Sequence, residues 1–565
     1  MNHSFKLRPT IAPEVLALLV AIVPTAAFAV GSALPSGGAI LQQLSPITTS
    51  TPKSSGGALK MEQTPNGNLP SSAPFLVQSI ALTGNKQIDT PTLLALVADA
   101  QGKTLTLPEL GVYAARITAY YRNQDFPLVR AYIPAQTIAQ GVVRIDVVEA
   151  QYGQINLENS SEVKYALLQA TLSQLQNGEA IGQAKMDHVL LLLSDVPGVL
   201  VEATLKPGAA VGSSDFVVNT TAGPSAYGSL TGDDYGNRYT GRERLTGAWN
   251  MLNLLHSGDT LSANLLSAGS GMNYGRLGYE FLLNGEGTRL GGAYSTLQYV
   301  LGAPVTTDIH GTAQVSSLWA KHPFIRSRDV NLYGQIQYDG LSLRDFYSSD
   351  IQTDRSLSNW TLSVNGDTRD EWLAGGINSW SLGVASGRVA FDNAAAQSAD
   401  AATANAQGDF SKWTANFVRL QALTPDASLY LTASGQWSDT NLDSSQKMSV
   451  GGPYTVRAYD MGALSGDSGY FLSAEYRHNL PPSTNGQWQL IAFLDSANVT
   501  FNSKAWSAVT GEGSGTLTGA GVGVNWSGEE QWNLKAHIAT PIGTVPASLG
   551  STQSTRVWAE LGRKF

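Results

Sequence analysis

The stretch that decides the fold of this chain is a loop-like segment near its end, Gly451-Gly452-Pro453-Tyr454-Thr455-Val456-Arg457-Ala458-Tyr459-Asp460. Segments that alternate apolar and polar residues lie on both sides of it. The tip of a soluble hairpin has no need of a fixed cation. A loop folded back into the polar lumen of a barrel does need one. A cation buried there must find a carboxylate, and this contact can hold the loop in place. Arg457 is therefore a candidate for an ion pair inside a barrel.

The segments around this loop read as strands. In Trp532 to Ile538 the even positions are apolar and the odd ones are Asn, Lys and His. A soluble sandwich buries its apolar face, whereas a membrane barrel turns that face to lipid, so alternation by itself leaves both open. Many of the runs use Ala, Gly and Ser rather than large core residues, which favours the barrel. In Gln489 to Asp495 the alternation predicts that Asp495 points into the lumen.

The last strand places Val557, Ala559 and Leu561 on one face and ends on Phe565. A terminal aromatic strand resembles the signal by which outer-membrane barrels are recognised for assembly. An ordinary edge strand is the alternative, but an exposed apolar edge promotes aggregation. The terminus therefore adds weight to the barrel.

Composition excludes some classes of protein. The chain has 565 residues, no Cys, 58 Gly, 14 % charged residues and a net charge of −9. Soluble domains average roughly 25 % charged residues, so this composition suits an outer-membrane barrel, and a large secreted all-β protein equally. The sequence contains no run of about 18 apolar residues, so it predicts no helical membrane span. The negative charge argues against a nucleic-acid partner.

The N-terminal 73 residues predict a leader and a linker. Lys6 and Arg8 precede the apolar run Val15 to Val23, and Ala27-Phe28-Ala29 is a small-x-small cleavage site. We expect residues 1–29 to be a signal peptide cleaved after Ala29. Residues 30–73 are rich in Ser, Pro, Gly and Thr, which predicts a linker. Residues 39–44 are apolar enough for a short helix, whose docking place the sequence leaves open.

Two units of order β-α-α-β-β follow, at residues 74–150 and 151–223, before the predicted barrel at residues 224–565. In the first unit Thr90 is expected to cap one helix, with Pro91 at its first position. Thr106 and Glu109 predict a capping box on the next helix.

Several motifs occur in a fixed order along the chain: Tyr120-Tyr121-Arg122, Ile133-Pro134-Ala135-Gln136 with Gly141, Asp234 to Gly241, Val456-Arg457-Ala458-Tyr459, and Phe493-Leu494-Asp495-Ser496-Ala497. Together they resemble the TpsB transporters of two-partner secretion, a family related to the BamA insertase. The first two resemble the pattern of the first POTRA domain and the third the opening barrel strand. The last two resemble the VRGY/F motif of the sixth extracellular loop and the F-x-D-x-G motif of the barrel wall.

This resemblance implies two POTRA domains followed by a barrel of sixteen antiparallel strands. It also implies that Arg457 pairs with Asp495 and holds the loop inside the pore. The POTRA residues that it assigns to substrate docking are Tyr121, Ile133, Pro134, Gln136 and Gly141. Ala458 and Ala497 stand where the family has Gly, a change that costs little unless the backbone needs a positive φ.

Signals for an enzyme or a cofactor are weak. Gly466-Asp467-Ser468-Gly469 spells the nucleophile sequence of trypsin-like proteases, but the seven His residues form no partner motif. Gly511 to Gly523 lacks the Lys of a phosphate loop, and no metal-ligand spacing occurs. Asp187-His188, beside the apolar face of a helix, is predicted to be a surface pair. We expect no enzyme activity, no cofactor, no metal and no nucleotide.

The predicted function is export of an unfolded exoprotein across the outer membrane of a Gram-negative bacterium, with the POTRA domains in the periplasm. The expected partners are that exoprotein (TpsA-like), outer-membrane lipid and the barrel-assembly machinery. Two alternatives stay open, an assembly factor that inserts other barrels and a diffusion porin.

Overall fold

The computed structural model describes residues 34–44, 58–61, 70–506, 512–550 and 554–565. The predicted signal peptide and its cleavage residues Ala27 and Ala29 lie outside this range. In the described part of the chain no helix has both the length and the apolar character needed to cross a membrane.

Two elements lie within the predicted linker. They are helix α1 (Gly37–Gln43) and strand β1 (Ala58–Met61). The helix lies inside the barrel, where Ile40 is 1 % exposed and packs in an apolar cluster of lumenal side chains. The strand, which the sequence did not predict, pairs with a strand of the second POTRA unit.

The first POTRA unit contains the predicted β-α-α-β-β order and, in addition, a pair of two-residue strands at Phe75–Leu76 and Thr104–Leu105. Its elements are β2 (Phe75–Leu76), β3 (Ser79–Thr83), α2 (Thr90–Ala95), β4 (Thr104–Leu105), α3 (Leu107–Asn123), β5 (Arg130–Tyr132) and β6 (Val142–Val148), with a 3-10 turn at Ala98–Ala100. The main sheet has the order β3-β6-β5, with β3 parallel to β6, and the helices close one core against it.

Helix capping in this unit tests two predictions. The capping box of Thr106 and Glu109 is confirmed. The prediction that Thr90 caps α2 was wrong, because Asp89 precedes it and accepts a hydrogen bond from the backbone N–H of Thr92 at 3.1 Å. The hydrogen bonds from Thr92 stabilise the carboxylate and lower the pKa of Asp89.

The second POTRA unit repeats this plan. Its elements are β7 (Gln151–Ser160), α4 (Tyr165–Leu172), α5 (Gln183–Ser194), β8 (Val199–Pro207) and β9 (Ser213–Ala222). The sheet order is β1-β8-β9-β7, so the linker strand β1 forms one edge of this sheet.

Sixteen strands in the described part of the chain close into an antiparallel barrel. They are β10 (Ala226–Asp233), β11 (Arg244–Leu252), β12 (Thr260–Ser267), β13 (Met272–Leu282), β14 (Arg289–Val300), β15 (Ile309–Arg326), β16 (Val330–Tyr347), β17 (Asp350–Asp370), β18 (Gly376–Phe391), β19 (Gly408–Thr424), β20 (Ala427–Trp437), β23 (Ser468–Asn479), β24 (Gln487–Thr500), β25 (Ser514–Ser527), β26 (Trp532–Pro541) and β27 (Arg556–Lys564). First strand β10 pairs with last strand β27, so the wall has no free edge. The predicted fold class is confirmed.

The barrel wall has two different faces. On β24, Leu490 and Leu494 are 44 % and 51 % exposed on the outside, whereas Ile491 and Asp495 are 4 % and 0 % exposed on the inside. The inside therefore contains packed material, because an empty lumen would leave inward side chains accessible.

Connections between strands lie alternately on the POTRA side of the barrel and on the opposite side. The sixth connection on the opposite side joins β20 to β23 and spans residues 438–467, here called loop 6. It carries a small hairpin of β21 (Met448–Val450) and β22 (Leu464–Gly466). Other short elements are α6 (Ala394–Ala401) and 3-10 turns at Glu529–Gln531 and Ala547–Leu549.

Candidate functional site

The turn of loop 6 that carries Arg457 depends on two glycines. Gly451 and Gly452 both have φ near +101°, a region that strains other residues. A Cβ on Gly451 would meet the carbonyl oxygen of Asp460 at 2.5 Å. The backbone N–H of Gly451 donates to Thr455 Oγ1 at 2.8 Å. These contacts fold the loop back on itself, so that its tip enters the lumen.

Arg457 and Asp495 are in direct contact inside the barrel. Arg457 Nε donates to Asp495 Oδ2 and Nη2 donates to Asp495 Oδ1, each at 2.9 Å. The backbone N–H of Arg457 also donates to Asp495 Oδ2 at 3.2 Å. Ser473 Oγ donates to the same carboxylate at 2.8 Å. Arg457 is 6 % exposed and Asp495 is 0 % exposed, so the pair is bidentate and shielded from water.

A second carboxylate, which the sequence analysis missed, completes this cluster. Arg457 Nη1 donates to Glu475 Oε2 at 2.7 Å, and Arg477 Nε donates to Glu475 Oε1 at 2.6 Å. Glu475 lies on β23 directly opposite Phe493 of β24. The signal that could have found it is the alternation of β23, which places Ser473, Glu475 and Arg477 on one face.

Apolar and aromatic groups enclose the guanidinium. Its carbon lies 3.3 Å from the centre of the Phe493 ring. Trp558 Nε1 of the last strand donates to the carbonyl oxygen of Arg457 at 2.7 Å. The neighbouring loop residues Val456, Ala458 and Tyr459 are at most 1 % exposed. The low local polarity strengthens the ion pairs, and it makes an unpaired charge there costly.

The two alanines that replace family glycines fit this arrangement. Neither Ala458 nor Ala497 has a positive φ. A Cβ on Gly519 of β25 would lie only 2.4 Å from the Cβ of Ala458. Because Gly519 has no side chain, it leaves room for the methyl group of Ala458. The contact therefore still contains a glycine, which lies on β25 rather than on loop 6.

Helix α1 fills another part of the lumen. The backbone N–H of Gly37 donates to Asp345 Oδ1 at 2.9 Å, and Asn237 Nδ2 donates to Gln43 Oε1 at 2.9 Å. Gln42 Nε2 donates to the carbonyl oxygen of Ser445 in loop 6. A Cβ on Gly38 would meet Ser444 Oγ at 2.6 Å, so the glycine allows the helix to approach the loop closely.

A second buried arginine connects the wall, loop 6 and the start of α1. Arg355 Nη1 donates to Asp345 Oδ2 at 2.9 Å, and Arg355 Nε lies 2.8 Å from Asp443 Oδ2 of loop 6. Its Nη2 donates to Ser444 Oγ at 3.1 Å. Asp345, which also binds Gly37, is therefore shared between the helix and the arginine.

The POTRA motif residues lie in or beside the first core. Tyr121 is fully buried and its hydroxyl donates to Glu149 Oε1 at 2.7 Å; burial, and then this hydrogen bond, raises the pKa of Tyr121. Ile133 is 8 % exposed and Pro134 is half-buried. Gln136 donates to the carbonyl oxygen of Arg144 at 2.7 Å and accepts from its N–H at 2.8 Å. Its amide thus continues the pairing with β6 beyond the end of β5.

Gly141 has φ near +70°, and a Cβ there would meet the carbonyl oxygen of Leu76 at 2.6 Å. This glycine therefore serves the turn before β6. The motif residues therefore lie in the first core and beside the edge formed by β5.

The prediction that Asp187-His188 is a surface pair was wrong. Asp187 is 6 % exposed and binds Arg328, at the POTRA side of the barrel, through two hydrogen bonds of 2.7 and 2.6 Å. His188 Nδ1 lies 3.1 Å from the carbonyl oxygen of Arg326, whose side chain binds Asp195 at 2.6 and 2.9 Å. The barrel covers this helix face, which a local pattern cannot reveal. These pairs fix the second POTRA unit to the barrel rim.

Phe565 lies beside the seam of the barrel. Its backbone N–H donates to the carbonyl oxygen of Gly228 at 3.1 Å, and the Gly228 N–H donates back at 2.9 Å. Its ring lies 5.7 Å from that of Trp249 and is 55 % exposed on the outer face. The terminal residue therefore continues the pairing that closes the wall.

Comparison with known proteins agrees with this architecture. The family model described as haemolysin secretion/activation protein ShlB/FhaC/HecB matches residues 212–526, more than half of the chain. The chain belongs to this family. A model of the ShlB-type POTRA domain matches residues 75–150. The family comprises the TpsB transporters of two-partner secretion, so the resemblance noted in the sequence is confirmed.

Individual relatives give the same result. The heme/hemopexin transporter protein HuxB of Haemophilus influenzae (strain 86-028NP) is 26 % identical over 498 residues, which cover 85 % of this chain and 85 % of HuxB. The outer membrane transporter CdiB of Dickeya dadantii is 23 % identical over 443 residues, covering 76 % and 75 %. The solved structure of CdiB from Escherichia coli shares the fold, with a TM-score of 0.68, 20 % identity, and coverage of 93 % and 95 %.

The predicted function and location follow from membership of the family. The protein is an outer-membrane translocator of a Gram-negative bacterium, its POTRA units face the periplasm, and it exports a partner exoprotein through two-partner secretion. Loop 6 therefore starts from the extracellular side. The alternative of an assembly factor is less supported, since the family that matches is one of secretion proteins.

Proposed function

We propose that the exoprotein crosses the barrel only after loop 6 and helix α1 leave their places in the lumen. The observation that carries the proposal is that both elements fill the lumen and are held there by noncovalent contacts. Arg457 of loop 6 binds Asp495 and Glu475. The backbone N–H of Gly37 in α1 binds the carboxylate of Asp345. Noncovalent contacts of this kind can be exchanged, whereas the hydrogen-bonded wall has no free edge through which to open.

The exoprotein first docks on the POTRA units in extended form. Extended segments add to exposed sheet edges through main-chain hydrogen bonds, and the first unit offers β5 (Arg130–Tyr132) as an edge strand. The roles proposed for Tyr121, Ile133, Pro134, Gln136 and Gly141 are to shape and hold this edge. We propose no nucleotide as partner. Folding of the exoprotein outside the cell then makes export unidirectional.

Two further partners belong to the proposal. The outward residues of the wall contact outer-membrane lipid, and the terminal strand that ends on Phe565 is read by the barrel-assembly machinery during insertion. We also propose that the protein is not an enzyme. Ser468 Oγ donates to the carbonyl oxygen of Ser438 at 3.2 Å and accepts from its N–H at 3.0 Å, which are the contacts of a residue that shapes a turn.

Deletion of residues 75–150 tests the docking step. The partner exoprotein is defined as the protein that disappears from the culture medium when this chain is removed from its native cells. We expect the deletion variant to insert as a heat-modifiable barrel and to secrete none of this exoprotein. The full chain carrying Arg130→Ala is the matched control, and it should secrete normally because main-chain groups do the docking. Secretion at the normal level by the deletion variant would refute the docking step.

A further inference from the structure

The apolar face of strand β16 changes sides along its length. Nearer the POTRA side, Ile336 is 46 % exposed on the outside and its neighbour Gln337 lies on the lumenal face. Nearer the extracellular end, Leu341 and Leu343 are at most 9 % exposed inside the barrel, and Arg344 is exposed on the outside. Apolar residues thus face outward in one half of the strand and inward in the other half.

Five further strands bury an apolar residue inside the barrel near their extracellular ends. These residues are Leu297 on β14, Ala313 on β15, Leu357 on β17, Val389 on β18 and Phe410 on β19. The outside at this height carries charges. Arg344 Nε donates to Asp354 Oδ2 at 3.0 Å, and Arg388 lies 3.7 Å from Asp409, with side chains 71 % and 82 % exposed. Charged side chains are unfavourable on a lipid-facing wall, so this part of the wall lies in water beyond the membrane.

The inward apolar residues form one continuous surface, here called the collar. It lies on eight consecutive strands from β12 to β19 and consists of Leu266, Met272, Leu297, Ala313, Leu341, Leu343, Leu357, Val389 and Phe410. Ile40 of α1 and Leu442 of loop 6 pack in the same cluster, and both are at most 2 % exposed. The two elements that leave the lumen in the proposed function therefore also cover the collar.

The lumenal wall between the collar and the POTRA side is polar. On β16, Gln335 Nε2 donates to Gln337 Oε1 at 2.9 Å, and Gln337 Nε2 donates to Asp339 Oδ1 at 2.8 Å. Departure of α1 leaves the collar facing an aqueous lumen, and apolar surface in water attracts any apolar group that reaches it. The collar thus differs from the rest of the path in the side chains that it favours.

The exported protein is the chain that passes the collar after α1 has left. An extended chain points successive side chains to opposite sides. It can therefore place apolar residues on the collar at every second position, while the side chains between them face the rest of the lumen. Ile40 shows that an aliphatic side chain fits this surface.

We propose that the collar is a contact surface for apolar side chains of the exported protein, which take the place of Ile40 when α1 leaves. The inference rests on the proposed function, because the collar becomes accessible only after that departure. Contact between apolar surfaces excludes water, and hydrophobic constrictions block ions by dewetting. The chain in transit therefore keeps the pore closed to ions while it passes.

A polar substitution in the collar tests the proposal in cells. The substitution is Leu343→Asn in a chain that lacks residues 34–44, so that any effect on the seating of α1 is removed. We expect this variant to insert as a heat-modifiable barrel and to secrete the partner exoprotein at least about five-fold less than the chain that lacks residues 34–44 alone. Leu343→Met should secrete normally, because it keeps the surface apolar. Gln337→Asn, on the same lumenal face below the collar, is the matched control and should also secrete normally.

The outcomes of this experiment separate the two proposals. If Leu343→Asn secretes as much as the chain that lacks residues 34–44 alone, the collar does not contact the exoprotein, and the proposed function stands. If removal of residues 34–44 abolishes secretion while the collar is intact, α1 has to remain in the lumen. The collar proposal and the release of α1 are then both wrong.

Peptide probes test the collar in the purified protein. The chain that lacks residues 34–44 is placed in a planar bilayer, and two peptides of equal length are added on the POTRA side. One peptide alternates Val and Thr, the other alternates Ser and Thr, and both carry Lys at each end. We expect the Val peptide to block the ion current at a concentration at least about ten-fold lower, and Leu343→Asn to remove this difference. Equal block by the two peptides would overturn the proposal.

Discussion

Among the buried arginines that bind loop 6 inside the barrel, Arg457 and Arg355 differ in which element carries the cation. Arg457 lies on the loop, and both of its carboxylate partners, Asp495 and Glu475, lie on the wall. Withdrawal of the loop would leave two carboxylates on the wall and remove their shared cation. At this cluster the charges balance only when the loop is docked.

The second arginine has the opposite arrangement. Arg355 and its partner Asp345 both belong to the wall, and the loop supplies only Asp443. If the loop leaves, Arg355 keeps one carboxylate. The comparison indicates that the Arg457 cluster is complete only when loop 6 is docked, while the contact of Asp345 with Arg355 and with the Gly37 N–H does not require the loop.

The largest effect is expected for Arg457→Ala. Removing one partner of a buried ion pair costs about 3–5 kcal/mol, and here Asp495 loses its cation while Glu475 keeps only Arg477. Secretion should fall to background while the barrel still inserts and remains heat-modifiable. Arg477→Ala is the matched control, because Arg477 also binds Glu475 but lies on the wall. Unchanged secretion by Arg457→Ala would contradict the importance given to this cluster.

An exchange of charges should have the next largest effect. Arg457→Asp with Asp495→Arg would restore a pair, but the new aspartate would face Glu475, which lies 2.7 Å from the Arg457 guanidinium. We therefore expect secretion to recover substantially only when Glu475→Gln is added. A double variant that secretes as well as the triple variant would show that Glu475 contributes little.

The second cluster should respond differently at its two carboxylates. Asp345→Ala removes the acceptor of the Gly37 N–H as well as a partner of Arg355, so α1 should leave the lumen more often. Asp443→Ala leaves Arg355 paired with Asp345 and should have a smaller effect. Ion conductance across a planar bilayer measures the difference. Equal conductance in the two variants would mean that Asp345 has no special part in holding the helix.

The smallest effect is expected where loop 6 packs against Gly519. Gly519→Ala would place a methyl group against Ala458, and overpacking of this kind costs about 1–3 kcal/mol. Protease cleavage within loop 6 on intact cells should increase moderately. Adding Ala458→Gly should return cleavage to its original level, because it moves the methyl group from one side of the contact to the other. No rescue in the double variant would place the clash elsewhere.

The sequence predicted the elements that have a local signature. Alternation gave the two faces of β24 and the inward direction of Asp495, and the spacing of Thr106 and Glu109 gave a helix start. Motif order gave the two POTRA units and the barrel that follows them. The contact between Arg457 and Asp495 required both kinds of information, since each residue alone could face solvent.

Glu475, β1 and Asp187 were missed for three physical reasons. Glu475 lies on a lumenal face between other polar residues, so its charge did not stand out from Ser473 and Arg477. Strand β1 is a four-residue strand in a Pro- and Ser-rich region, and it is stabilised by a sheet about 140 residues further along the chain. Asp187 looked exposed because its helix pattern contains no information on the barrel turn that covers it.

By itself, the order of apolar and polar residues determined strands with one apolar and one polar face after two α+β units, and the motifs with the terminal aromatic strand indicated that these strands form a barrel. The spacing of apolar residues and the motifs themselves belong to short stretches of sequence, so they are visible without the tertiary structure. Only the tertiary structure decided what fills the interior and which edges are covered. Those contacts join residues far apart in the chain, such as Gly37 with Asp345 and Ala58 with Glu202, and they exist only once the wall and the sheets have formed.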